Sequence, residues 1–308
     1  MKKLFVAIAT LCLAAAVASA QDFNAAVDTF NAGAQAMETN KTEALAKFRS
    51  ALEMAQACTE EDTAEFISNC KTAITGALLS IAKEQINEAS YDEALATLAE
   101  AKTVAAEYEE AEAAAEVATL IPNVYMRKGS TLLKNKEFAA AVATFKELVE
   151  ITPEDGQANL LLGQALMQSG NMDGAIESLT KANELGEANA AKLLSTAYLR
   201  EGQSLLKAGK NLEAVAALEK SNSFVESANA YKLIASAYTK AGKSKDAINA
   251  YKKYLEVSPN AKDAADILFT IAATAQKAGD KATATEYYKK LAGSKYAAQA
   301  EAQLKALK

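Results

Sequence analysis

The chain contains no histidine and no tryptophan, and only 3 prolines and 3 cysteines among its 308 residues. Without imidazole, the usual general base, the partner of most catalytic nucleophiles and the commonest metal ligand are all missing. No Gly-x-Ser-x-Gly elbow stands in for them, and no Cys-x-x-Cys spacing completes a zinc shell. Aromatic residues are only 6% of the chain, which disfavours strand-rich architectures. Beyond position 20 no segment approaches the roughly 18 uninterrupted apolar residues of a membrane-spanning helix.

What is present is alanine, about 70 residues by direct count. Alanine heads the helix-propensity scale and lets helices approach closely. Half the residues are apolar and 23% are charged, so the chain can bury a core. These proportions predict an all-α fold.

Residues 1–20 read as a cleavable export signal: Lys2-Lys3, an apolar stretch from Leu4 to Val17, then Ala18-Ser19-Ala20. The stretch is too short to cross a bilayer. Leu11 stands before Cys12 where a lipidation signal carries a small residue, so a soluble mature chain beginning at Gln21 is expected. The expected location is the bacterial periplasm, with secretion or peripheral outer-membrane association as the alternative. Cleavage removes Lys2 and Lys3 and leaves 31 basic against 39 acidic residues, a net −8. That balance disfavours nucleic acid and anionic membrane surfaces, and no direct membrane insertion is expected. Cys58 and Cys70 remain as a disulfide candidate in an oxidising compartment. The bridge needs Cα atoms within about 7 Å, a hurdle if Cys58 ends one helix and Cys70 lies two turns into the next.

Internal repetition is the richest signal. Gly129, Ala141 and Phe145 recur 34 positions later as Gly163, Ala175 and Leu179. The frame returns at Gly202, Ala214, Leu218, at Ala235, Ala247, Tyr251, and at Ala272, Ala284, Tyr288. Upstream copies carry Ala82, Ala94, Leu98 and, most faintly, Ala32, Ala44, Phe48. In each, a small residue precedes another by twelve positions, and a large apolar residue follows one turn later. This is the pattern of two antiparallel helices that cross where their side chains are small. Gly170, Gly209, Gly242 and Gly279 fall between the helices, where left-handed backbone ends the first. Ser90 with Glu93, and Asp62 with Glu65, look like capping boxes. The spacing widens to 39 between Gly163 and Gly202 and to 47 between Ala82 and Gly129, and lengthened helices through Ala105–Ala118 and Ala188–Arg200 can absorb the difference.

These residues resemble the tetratricopeptide repeat family, whose unit is a 34-residue helix-turn-helix. Tyr125, Tyr198, Tyr231 and Leu268 stand where that family commonly has tryptophan. The resemblance spans roughly residues 25–298 and implies an α-solenoid of about seven repeats with a C-terminal capping helix. Residues 21–121 form divergent repeats with long helices, 122–298 regular ones and 299–308 the cap. Pro122 and the alanine-rich segment before it are the expected joint.

Several short motifs have plain structural readings. Gly242-Lys243-Ser244 imitates a phosphate loop but lacks its upstream glycine and a preceding strand. Glu109-Glu110, Glu154-Asp155 and Glu60-Glu61-Asp62 suit helix starts and solvated faces better than a catalytic pair. Asp62-Thr63-Ala64 looks like an acceptor for bacterial O-glycosylation, but three residues recur readily by chance.

In the family that this chain resembles, the concave, first-helix surface commonly grips peptides or proteins. Mapped by the repeat frame, it should present Met126, Ser130 and Lys134, then Gln157, Leu160, Gln164 and Gln168, then Leu199, Gln203 and Lys207. Asn229, Lys232, Ser236 and Lys240 follow, then Phe269, Gln276 and Lys277. Amides and hydroxyls can bond an extended backbone, and the lysines can meet acidic groups. The same lysines also complete the negative ends of their helices. The reading is a non-catalytic adaptor for a protein or peptide in the cell envelope, with no catalytic residues, metal or cofactor. The alternative is a permanent structural subunit of an outer-membrane or secretion assembly.

Overall fold

The structure is a computed structural model that describes residues 20–58 and 63–307. Residues 1–19, with Cys12 and nearly all of the expected leader, lie outside the described residues, as does the Glu60-Glu61-Asp62 run. The described residues form fifteen helices and no strand.

The chain divides into two compact units between Thr152 and Pro153. The first holds α1 (Ala20–Ala36), α2 (Lys41–Ala57), α3 (Thr63–Asn87), α4 (Tyr91–Glu107), α5 (Ala111–Lys134) and α6 (Phe138–Ile151). The second holds α7 (Gly156–Ser169), α8 (Met172–Glu184), α9 (Ala190–Lys207), α10 (Asn211–Phe224), α11 (Ala228–Lys240), α12 (Ser244–Val257), α13 (Ala264–Lys277), α14 (Lys281–Lys289) and α15 (Ala297–Ala306). Paired in order, these make the seven expected hairpins and a C-terminal cap. Within each unit a helix packs mainly on its chain neighbours, and α3 also meets α5, α7 meets α9, and α9 meets α11.

The glycines do what their spacing predicts, with one refinement. A methyl built on Gly163 would stand 2.6 Å from Leu179 Cγ and 3.3 Å from the Ala175 carbonyl, and one on Gly202 has the same relation to Leu218 and Ala214. The space above each glycine is therefore filled by the large residue sixteen positions on. The alanine at twelve only lets its backbone come near.

Six hairpin turns share one hydrogen bond, from a residue just past the helix end back five positions. The donor is the third residue past the helix end, or the second after α7: Ser90 bonds to Gln85, Glu137 to Leu132, Asn171 to Leu166, Lys210 to Leu205, Lys243 to Tyr238 and Asp280 to Ala275, at 2.9–3.0 Å. The residue before each donor is left-handed, a geometry that favours glycine. The second unit supplies Gly170, Gly209, Gly242 and Gly279, while Ala89 (φ 61°) and Lys136 (φ 64°) adopt it in the first. The α1–α2 turn lacks this bond, and Asn40 N–H instead reaches Ala36 O at 2.7 Å. The spacing from small to large residue is one shorter there, fifteen positions and not sixteen, so Gly33 and not Ala32 is buried beneath Phe48.

Four helix starts are capped by side chains that accept from backbone N–H groups: Asn40 from Glu43, Asp155 from Gln157 and Ala158, Asn171 from Gly174, and Asp280 from Thr283. Ser90 stands at the start of α4 but makes no such bond, so that expected capping box is not formed. Ala105–Ala118 is not one lengthened helix either. Glu109 turns left-handed at φ 57° and separates α4 from α5. The extra length lies in α3 with 25 residues, α5 with 24 and α9 with 18. Pro122 sits inside α5.

An aromatic cluster joins the first three helices: Phe30 lies 5.0 Å from Phe48 and 5.5 Å from Phe66, ring centre to ring centre. Cys70 belongs to this core as a free, fully buried thiol, and burial pushes its pKa up to about 12. The Cys58–Cys70 bridge is not formed. Cys70 points into the core with Phe66, Ala73 and Ile74, whereas the Cys58 thiol, just past α2, donates to the Met54 carbonyl at 3.3 Å. In the second unit the core is built from Leu218, Ile234, Tyr251, Ile271, Tyr288 and their neighbours.

Candidate interaction face

The first helices of the hairpins in the second unit are α7, α9, α11 and α13, and their candidate residues fall into rows set by the crossing residues Gly163, Gly202, Ala235 and Ala272. Three positions before the crossing, the side chains are taken up within the fold. Leu160 is buried, and Leu199 packs against the core. Lys232 pairs with Asp263 at the start of the next hairpin, 2.5 Å away. Phe269 stacks on Tyr296 of the cap segment at 4.7 Å and meets the Tyr288 ring edge-on. Gln276 accepts from the Tyr288 hydroxyl and donates to Gln303 of α15. These five are committed within the fold.

The rows one and five positions after the crossing are different. Gln164, Gln203 and Ser236 are half-buried, while Gln168, Lys207, Lys240 and Lys277 are exposed. None of the three lysines has an ion pair, and each lies in the last turn of its helix, where it complements the helix dipole. Gln157 and Asn229, near the starts of α7 and α11, are exposed as well. In the first unit, Met126 and Ser130 are half-buried and Lys134 is exposed at the end of α5.

Composition supplies a signal that motif reading passes over. Helices α7, α9 and α11 carry Lys192, Arg200, Lys207, Lys232 and Lys240 but a single carboxylate, Glu201. Burial, and then the charge of Asp173 on α8, raise the Glu201 pKa. Exposed Arg200, two positions before Gly202, joins the lysines.

The carboxylate pairs have structural work. Glu110 accepts from the Thr72 hydroxyl at 2.6 Å, Glu154 pairs with Lys181 at 3.0 Å, and Asp155 caps α7. Lys243 gives its N–H to the closing bond of α11, which leaves no phosphate cradle at Gly242. Thr63 is buried at the start of α3, a poor position for a glycan. Among the described residues no helix is long and apolar enough to cross a membrane.

Residues 132–196 match one family profile of the tetratricopeptide repeat, and residues 199–262 match another. The chain contains tetratricopeptide repeats. Proteins built of these repeats are generally non-catalytic scaffolds for protein–protein interaction. No curated protein matches this tetratricopeptide repeat chain. Among solved structures, a crystal structure of MamA protein is 24% identical, with 56% of this chain and 90% of that one covered and a TM-score of 0.39. MamA 41-end from Desulfovibrio magneticus RS-1 is 22% identical, covering 55% and 92%, with a TM-score of 0.36. YrrB, described as a TPR protein with an unusual peptide-binding site, is 17% identical, covering 59% and 91%, with a TM-score of 0.37.

Proposed function

We propose that this chain is a non-catalytic adaptor of the bacterial cell envelope, which holds a protein or peptide on the first-helix face of its C-terminal repeats. The observation that carries this reading is the pair of rows Gln164–Gln203–Ser236 and Lys207–Lys240–Lys277. They are exposed or half-exposed, they bear amide, hydroxyl and ammonium donors, and among the described residues no carboxylate pairs with the lysines. Donors spaced by repeating helices suit an extended partner with backbone carbonyls and acidic groups. The envelope location rests on the sequence of residues 1–20.

In-cell crosslinking from Gln164, Gln203 and Lys240, followed by mass spectrometry, tests both parts. A discrete partner captured by the native face and lost on combined Gln164→Ala, Gln203→Ala and Lys240→Ala substitution is the expected result. Capture that survives the triple substitution refutes the face, and a cytoplasmic partner refutes the location. A permanent structural subunit is the second reading. It is favoured by Val225 and Val257, which are 43% and 38% exposed at the ends of the second helices α10 and α12.

A further inference from the structure

The charge of the chain is unevenly divided. Residues 21–152 hold 22 acidic and 11 basic side chains, and residues 153–308 hold 17 acidic and 20 basic ones, so these two segments carry −11 and +3. On the C-terminal unit, Lys207, Lys240 and Lys277 end three successive first helices and lie in one exposed row. On the N-terminal unit, Glu107, Glu109 and Glu112 surround the α4–α5 turn, all exposed and without an ion pair. The Tyr108 hydroxyl between them has its pKa raised by burial and then by Glu107, with Arg49 opposing, and Lys71 lies over its ring.

We infer that a second copy of this chain is an occupant of the basic face, with the Lys207–Lys240–Lys277 row of one molecule docking on the Glu107–Glu109–Glu112 edge of another. The inference rests on the proposed reading of that face as an interaction surface. The two patches are complementary to each other and neither is complementary to itself. Such a contact is heterologous and joins copies head to tail. The acidic partner is present at the same concentration as the basic one, and every copy brings both. A net charge near −8 makes whole molecules repel at long range. At about 0.1 M salt, however, screening acts beyond roughly 10 Å and leaves pairs in contact.

The test is sedimentation velocity of the purified protein over a wide concentration range, at about 0.1 M and about 1 M salt. Concentration-dependent assembly is expected at the lower salt, and the monomer at the higher. Two triple variants then separate charge from folding: one carries Lys207→Glu, Lys240→Glu and Lys277→Glu, the other Glu107→Lys, Glu109→Lys and Glu112→Lys. All six side chains are exposed, and helical circular dichroism checks that each variant is folded. Each alone should associate at least tenfold more weakly. Mixed together they should assemble again, because each reversed patch meets the other variant's complement. A native protein that stays monomeric at the lower salt, assembly that ignores the reversals, or a mixture that fails to recover overturns the inference. If crosslinking still captures a different partner on the native face, self-association falls while the adaptor reading stands.

Discussion

Gly129 lies directly beneath the ring of Phe145: a methyl built on its Cα would stand 2.5 Å from Cε1 and Cζ of that ring. Phe145 is fully buried and has no room to withdraw. Gly129→Ala should therefore destabilise the first unit by about 1–3 kcal/mol through overpacking. Urea unfolding followed by circular dichroism measures it. Combining Gly129→Ala with Phe145→Leu should cost less than the two single changes added together, because the smaller side chain leaves room for the methyl. Strict additivity would refute the contact.

The left-handed turn residues yield a prediction of opposite sign in the two units. Lys136 is held at φ 64° and Ala89 at φ 61°, whereas Gly209 at φ 77° has the same place in its own hairpin. Lys136→Gly should stabilise the chain by about 0.5–1 kcal/mol, and Gly209→Ala should destabilise it by about 1 kcal/mol. Midpoint shifts in the same direction for both substitutions would show that the two turns are not equivalent.

Asp263 ties two hairpins together, accepting from Lys232 and from the Tyr254 hydroxyl, each at 2.5 Å. The hydrogen bond from Lys232, then that from Tyr254, lowers its pKa below the ordinary carboxylate range. A lowered folded-state pKa means stability that is present above the unfolded value of about 3.9 and lost as pH falls through the folded one. Asp263→Asn should cost at most about 1 kcal/mol at neutral pH, because the pair is partly solvated. It should cost nothing once acid has protonated the native carboxyl. An equal loss at pH 7 and pH 2 would mean that shape and not charge matters at this position.

Cys70 should behave as an inert thiol. With full burial and a pKa pushed up to about 12, it forms almost no thiolate at neutral pH. Maleimide should leave it unmodified in the folded protein and react within minutes in denaturant, as peptide mass mapping would show. Failure to react in denaturant without reductant would instead reveal a disulfide.

The hairpins were legible because packing demands two small residues and one large one at fixed separations, and this demand is written in residue type. Gly163, Ala175 and Leu179 state it without help from context. Turns were legible only where the chain used glycine. Ala89, Glu109 and Lys136 take the same left-handed backbone but look like ordinary helix formers, so the alanine-rich run appeared continuous until the structure broke it at Glu109. In the first hairpin the frame slipped by one, from Gly33 to Ala32, because a spacing one residue shorter leaves no trace in composition. Rows on the first helices were assigned by periodicity, and periodicity cannot tell a side chain facing a partner from one facing the next hairpin. Lys232 proved to face the next hairpin and Phe269 the cap segment, because a neighbour stands at their tips, and Leu160 proved to be buried. The uneven charge of the two units was visible in the letters but gained meaning only once the boundary at Thr152 was known.

Because each hairpin leans mainly on its chain neighbours within its own unit, no distant segment has to be in place for it to form. A gene encoding such a chain can gain or lose a whole helix pair by duplication or deletion, and the remaining pairs close ranks around the new junction. The reach of the molecule is in that sense adjustable in inheritance, one helix pair at a time.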